Sequence, residues 1–178
     1  MRNLLIAICF LLTPWFSSAA GRREIVARTG AMLPTIPINA ALTVDESVYT
    51  SRDPKRFDII VVRRRYYQNS GDRTEKTMEI VSRIIGLPGE SIALLNGRIF
   101  VNGQRILEPF TTKNCPKSRD ESFPCAEMPA VLIPQNEYFL LADNRAESED
   151  SRLWSPHTIK RSEMVGKVVK IRRRDQVP

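Results

Sequence analysis

Apolar and polar positions alternate over short runs through most of the chain, and turn-forming residues separate the runs. Leu42, Val44 and, after a charged break, Val48 mark a strand over Ala41–Tyr49. FDIIVV, Phe57 to Val62, is a compact apolar strand entered through Asp53-Pro54-Lys55-Arg56, which is turn chemistry. MEIVSRII, Met78 to Ile85, is a further strand, stopped by Gly86-Leu87-Pro88-Gly89. Asn96-Gly97 and Asn102-Gly103 bracket RIFV. Both residues of an Asn-Gly pair tolerate positive φ, so Ser91 to Ile106 is expected to fold as a tight meander of three strands. Tyr138–Leu141 and Val165–Ile171 are the last strands, with one helical turn expected within Thr158–Met164. The pattern predicts an all-β domain of antiparallel sheet, with long loops and little helix.

The first twenty residues follow a different pattern. Arg2 is a short charged region, LLIAICFLLTPWF (Leu4 to Phe16) is an apolar run, and Ser17-Ser18-Ala19-Ala20 puts small residues ahead of Gly21. The run is short for a membrane span, which needs about 20 apolar residues. Residues 1–20 are therefore expected to be a cleaved export signal, with an uncleaved N-terminal anchor as the alternative. Residues 21–178 are expected to be one β domain. Either alternative places that domain in the periplasm or on the outer face of the cytoplasmic membrane.

Charge and cysteine content refine this. Lys+Arg is 27 against Asp+Glu 20, a formal net charge of +7. The runs Arg63-Arg64-Arg65 and Arg172-Arg173-Arg174 fit solvated strand ends, or attraction to an anionic membrane surface. No stretch interleaves aromatic and basic residues as a nucleic-acid stacking platform does, so no nucleic-acid partner is expected. Cys115 and Cys125 flank PKSRDESFP, a polar segment unable to build its own core. In an oxidising compartment they are expected to pair, for about 3 kcal/mol in the chain-entropy model. A metal site lacks ligands, since His157 is the only histidine, and the spacing fits no zinc pattern. No metal or cofactor is expected.

Three segments carry the candidate chemistry. They are RTGAMLPT (Arg28 to Thr35), SRIIGLPGE (Ser82 to Glu90) and LADNRAESEDSRLW (Leu141 to Trp154). In this order and at these separations they resemble the boxes of the type I signal peptidases, the serine–lysine proteases that remove export signals. PKRFDIIVV, Pro54 to Val62, matches a fourth, structural box. The resemblance runs from about Ile25 to Ile171. It implies a β-rich fold with an open groove in which a signal peptide adds as a strand. It also implies a serine nucleophile, a neutral lysine base, and an oxyanion held by a backbone N–H and a hydroxyl.

Carried over position by position, the resemblance puts the nucleophile on Ala31 and the base on Ser82. A methyl group cannot attack a carbonyl, and a serine hydroxyl needs a base of its own. No intact catalytic residue is expected. The supporting positions remain. Thr29 stands at the oxyanion donor, and Ser148 stands where the resemblance implies a hydroxyl that orients the lysine. Asp143, Asn144, Arg145, Asp150 and Arg152 form a structural loop whose charges are expected to pair with one another. Ala142 stands where glycine is usual and Arg28 where proline is usual. Lys76 lies six positions before Ser82, about 20 Å along a strand. His157 would have to fold back over Ser82 to replace the base.

Three functions follow. The first is a signal-peptidase-like protein that binds extended exported or signal peptides without cutting them, as an assembly factor or chaperone. The second is an active signal peptidase with a non-standard dyad. The third is a basic binder of the membrane surface. A serine-to-alanine change at a nucleophile is also what an engineered knockout looks like, although that leaves Ser82 unexplained.

Overall fold

The computed structural model describes residues 21–69, 72–111, 127–146 and 148–173. Residues 1–20, Cys115 and Cys125 lie outside the described residues, and with them the expected export segment and disulfide. The strands are β1 (Arg22–Val26), β2 (Ala41–Asp45), β3 (Ile59–Asn69), β4 (Asp72–Gly86), β5 (Ser91–Leu95), β6 (Arg98–Val101), β7 (Gln104–Arg105), β8 (Met128–Leu132), β9 (Glu137–Leu141), β10 (Ile159–Lys160) and β11 (Met164–Arg172). A single α-helical turn, α1 (Val48–Ser51), and a 3₁₀ turn (Arg161–Glu163) are the helices described. The domain is all-β, and its strand pairs are antiparallel.

The strands make two sheets. One has seven strands in the order β1-β2-β11-β3-β4-β9-β10, and the other four in the order β7-β6-β5-β8. The expected meander is β5-β6-β7. Its turns join Leu95 to Arg98 and Val101 to Gln104 through the two Asn-Gly pairs. Asn96 (φ 50°), Gly97 (φ 70°), Asn102 (φ 49°) and Gly103 (φ 78°) all take the positive φ that this hairpin turn requires.

Several strand boundaries differ from the sequence expectation. The Ala41–Tyr49 strand ends at Asp45, and Val48 opens α1 instead. Asp45 accepts bonds from the Ser47 amide and hydroxyl, which turns the chain out of the sheet. The apolar FDIIVV core of β3 continues through the arginine run to Asn69, because β4 pairs with it along its whole length. β1 and β8 were not anticipated. β1 is short and mostly polar, and β8 carries Pro129, which the edge of a sheet tolerates.

The core has three apolar clusters. Ala27, Met32, Ile36, Leu42, Val44, Val61 and Ala142 form one beneath the β1–β2–β11–β3 side. Ile85, Ile92, Ile99, Ile133, Phe139 and Leu141 form the second, which joins the two sheets. Ile60, Val62, Ile84, Leu140 and Ile159 form the third, with Trp154 packed against it. The first and third lie on either side of β3 and β4, and the candidate site opens between them.

Candidate functional site

Two strand edges frame the site. β1 pairs with β2 on one side and, as the first strand of its sheet, has its other edge open among the described residues. Among these residues β9 covers β4 through Arg83, Ile84 and Gly86, so β4 ahead of Arg83 is open on that side. Ile25–Gly30 and Met78–Ser82 line the same cavity, of about 480 Å³. The buried side chains of Ala27, Met32, Ile36 and Ala142 also line it. Ala31, Ser148, Glu149, Arg64 and Trp154 complete much of the wall. An open edge presents unpaired backbone N–H and C=O groups, and these can hydrogen-bond an extended chain.

Ala31 and Ser82 both line this cavity. Ser82 is 3% exposed, and its hydroxyl has no hydrogen-bond partner among the described residues. No lysine or histidine is among the described residues lining the cavity. His157 is held elsewhere, with Nδ1 2.7 Å from the Ser151 carbonyl oxygen. Lys76 sits further back on β4, opposite Tyr66 of β3. Thr29 is exposed on the rim. The Ser148 hydroxyl donates to the Asn144 carbonyl at 2.7 Å, with the Ala31 carbonyl more distant at 3.5 Å. Among the described residues, no group of His, Cys, Asp or Glu side chains could hold a metal ion.

The RTGAMLPT turn is held from the 143–152 loop. The Asn144 amide N–H donates to the Ala31 carbonyl at 2.9 Å, and its side chain donates to the Gly30 carbonyl at 3.2 Å. A third contact ties all three segments together. Arg83 Nε and Nη2 donate to the two Asp143 oxygens at 2.7 and 2.6 Å, and Thr35 Oγ1 donates to the same carboxylate at 2.5 Å. Asp143 is fully buried and Arg83 nearly so. The Arg83 guanidinium lies over the Phe110 ring at 3.8 Å and donates to the Phe57 carbonyl at 3.0 Å.

This corrects the expectation that the loop charges pair with one another. Among the described residues, Asp150 and Arg152 do, through Arg152 Nε and Nη2 at 2.8 and 2.9 Å. Asp150 also accepts the Ala142 amide at 3.1 Å, and Arg152 donates to the Arg145 and Ser148 carbonyls. Asp143 takes Arg83 of β4, and Arg145 pairs with Glu108 while donating to the Ala142 carbonyl. The physical reason is reach. The loop doubles back on itself, so residues two apart can pair within it, and the remaining charges face other elements. Arg83, Thr35 and Glu108 are the site-supporting residues that the sequence reading missed. Arg83 stands beside the base position, which was the one signal available.

At the end of the cavity away from Ala31, Arg23 of β1 reaches Glu79 of β4 at 2.6 Å, and Arg63 reaches it at 3.2 Å. Burial alone would raise the Glu79 carboxyl. The hydrogen bonds from Arg23 and Arg63 outweigh it and hold the group below the usual glutamate range.

The family model described as "Signal peptidase, peptidase S26" matches residues 1–172. The chain belongs to the signal peptidase family. It is 30% identical over 158 residues to signal peptidase I of Leptolyngbya laminosa, covering 85% of this chain and 71% of that protein. It is 31% identical over 123 residues to signal peptidase I P of Bacillus subtilis subsp. natto, covering 68% and 61%. With the probable signal peptidase I-2 of a Synechocystis strain, identity is 31% over 143 residues, covering 76% and 59%. The matched part of the chain thus spans about three-fifths of the length of the Bacillus and Synechocystis relatives. A solved signal peptidase I from Enterococcus faecalis V583 is 23% identical, with a TM-score of 0.43, covering 66% of this chain and 98% of that one. No described helix is long and apolar enough to cross a membrane.

Proposed function

We propose that this member of the family binds an extended segment of an exported protein in the cavity between β1 and β4 and does not cut it. One observation carries the reading. The two positions that should hold the nucleophile and the base are a methyl group and a buried hydroxyl without a partner, in a cavity that no described lysine or histidine lines. Peptide hydrolysis needs a nucleophile and a group to take its proton. Strand addition needs only open edges and apolar room for alternate side chains, and both are present. The Ala31 amide and the Thr29 hydroxyl are left to hold a ligand carbonyl. On this reading residues 1–20 export or anchor the domain, which works in the periplasm or on the outer face of the cytoplasmic membrane. A chaperone or assembly factor for exported chains is the matching role.

The relatives' names favour a second reading, an active signal peptidase with a non-standard dyad. Incubation with an exported preprotein, followed by mass spectrometry, separates the two. Intact preprotein supports the binding role, and site-specific cleavage after a small residue sinks it. The same assay on Ala31→Ser, Ser82→Lys and the double variant tests the groove. Cleavage is expected only from the double variant, since each single change leaves half a dyad.

A further inference from the structure

Arg64 is a cation on the cavity wall that the proposed peptide binding does not yet use. Its guanidinium lies 4.1 Å from the centre of the Trp154 ring, and both side chains line the cavity. It makes no ion pair with a described residue. Burial pulls the guanidinium below the usual arginine range, and the Glu163 charge offsets only part of this. That carboxylate is itself engaged with the Lys160 amide at 2.7 Å. Of the carboxylates on the wall, Glu79 is taken by Arg23 and Arg63, and Glu149 is exposed beside Ser148. Arg28 and Arg65, both exposed, are the other cations among the described residues that line the cavity.

The stacking leaves the guanidinium edge as the donor side. A guanidinium with one face on an aromatic ring and its edge N–H groups available fits a carboxylate, which accepts two parallel hydrogen bonds. We infer that Arg64 on Trp154 forms a carboxylate-binding subsite of the groove, so that the bound peptide carries an acidic group at a fixed distance from Ala31. This deepens the proposed peptide binding and rests on it.

The register sets the distance. Arg64 is paired with Met78, and Ile60 with Ser82, so Arg64, Met78 and Ser82 share one face of the β3–β4 ladder. Met78 and Ser82 are four residues apart, about 13 Å along a strand. A peptide lying along the β4 edge therefore presents its carboxylate four residues from the one beside Ser82, on the same side of the strand. An acidic residue one position off would point to the other face.

Anisotropy with labelled, alanine-rich, C-terminally amidated peptides tests this, with one glutamate walked along the peptide and glutamine as its partner at each position. At the matching position the glutamate peptide is expected to bind roughly tenfold tighter than the glutamine peptide. The gap should shrink at high salt and be lost in Arg64→Gln, while Arg98→Gln on the other sheet leaves it unchanged. A glutamine peptide with a free C-terminus forms a separate arm. Tighter binding there than with its amide assigns the subsite to a chain terminus instead of a side chain. Equal affinity for every glutamate, glutamine and free-acid peptide overturns the inference while leaving peptide binding in place. Arg64→Gln weakening glutamate and glutamine peptides alike overturns it too, because Arg64 would then only support the wall. No binding of any peptide overturns both readings.

Discussion

Replacing Asp143 with asparagine tests how the three segments are held together. The carboxylate is fully buried and accepts two bonds from Arg83, at 2.7 and 2.6 Å, and one from Thr35 at 2.5 Å. Asparagine keeps the shape but removes the charge, and its NH₂ group faces an arginine or threonine donor where an acceptor is needed. The Arg83 guanidinium, 8% exposed, is left with the Phe57 carbonyl, the Thr35 hydroxyl at 3.4 Å and the Phe110 ring. Breaking a buried pair by removing one partner costs about 3–5 kcal/mol. Against a typical total of about 5–15 kcal/mol, that is a large share of stability. For a domain of this size it corresponds to a fall of roughly 6–20 °C in Tm. The assay is denaturant unfolding of Asp143→Asn, Arg83→Met and the double variant as a cycle. The double variant should cost clearly less than the sum of the singles, since no uncompensated charge remains. Strict additivity, or a cost below about 1 kcal/mol for Asp143→Asn, would refute the claim that this pair is the joint.

Ser82→Ala should leave stability unchanged or raise it by up to about 1 kcal/mol, because it removes a buried hydroxyl without a partner; a clear loss in the melting curve would mean that the hydroxyl is satisfied. Gly166→Ala should destabilise more than Gly86→Ala in the same unfolding assay. A Cβ at Gly166 would stand 2.6 Å from the Asp45 backbone oxygen, whereas at Gly86 it would meet the buried side chains of Ile133 at 2.3 Å and Ile92 at 2.8 Å, which can repack at a cost where backbone cannot. Glu79 has its carboxyl lowered in the fold, so its contribution is present above its unfolded pKa, near 4.5, and is lost as pH falls through the lower folded value. Glu79→Gln should therefore cost up to about 1 kcal/mol at neutral pH and nothing in strong acid, measured as the gap between the two stability–pH curves; a constant gap would contradict the ion pairs.

The parts of the fold legible in the sequence are those that depend on neighbours in the chain. The β5-β6-β7 meander follows from two Asn-Gly pairs, whose positive φ values are local. The apolar centres of β3, β4, β9 and β11 follow from side-chain burial. The second half of β3 was not legible, because Arg63–Asn69 is held as a strand by its ladder to β4, which no local pattern announces. The same holds for the site. Ala31 and Ser82 could be found by position, but the Arg83–Asp143 pair joins residues 60 apart. Nothing in the spacing says that Asp143 chooses Arg83 over the arginines in its own loop.

That joint changes what the three segments mean. Thr35, Arg83 and Asp143 meet at one buried contact, and Asn144 clamps the Gly30–Ala31 turn. These interactions stabilise the fold whether or not the chain cuts peptides, so their presence says nothing about catalysis. The Ala31 and Ser82 side chains are different. Among the described residues neither makes a side-chain hydrogen bond, so the fold does not draw on these two side chains for polar contacts. The open edges of β1 and β4 carry the opposite information. An uncovered strand edge is a liability, which sheets usually cover or blunt. Here both edges face an apolar-floored cavity and are bridged only at the far end, by Arg23 and Glu79. The strand addition proposed above would pair those edges with a second chain and so remove the liability.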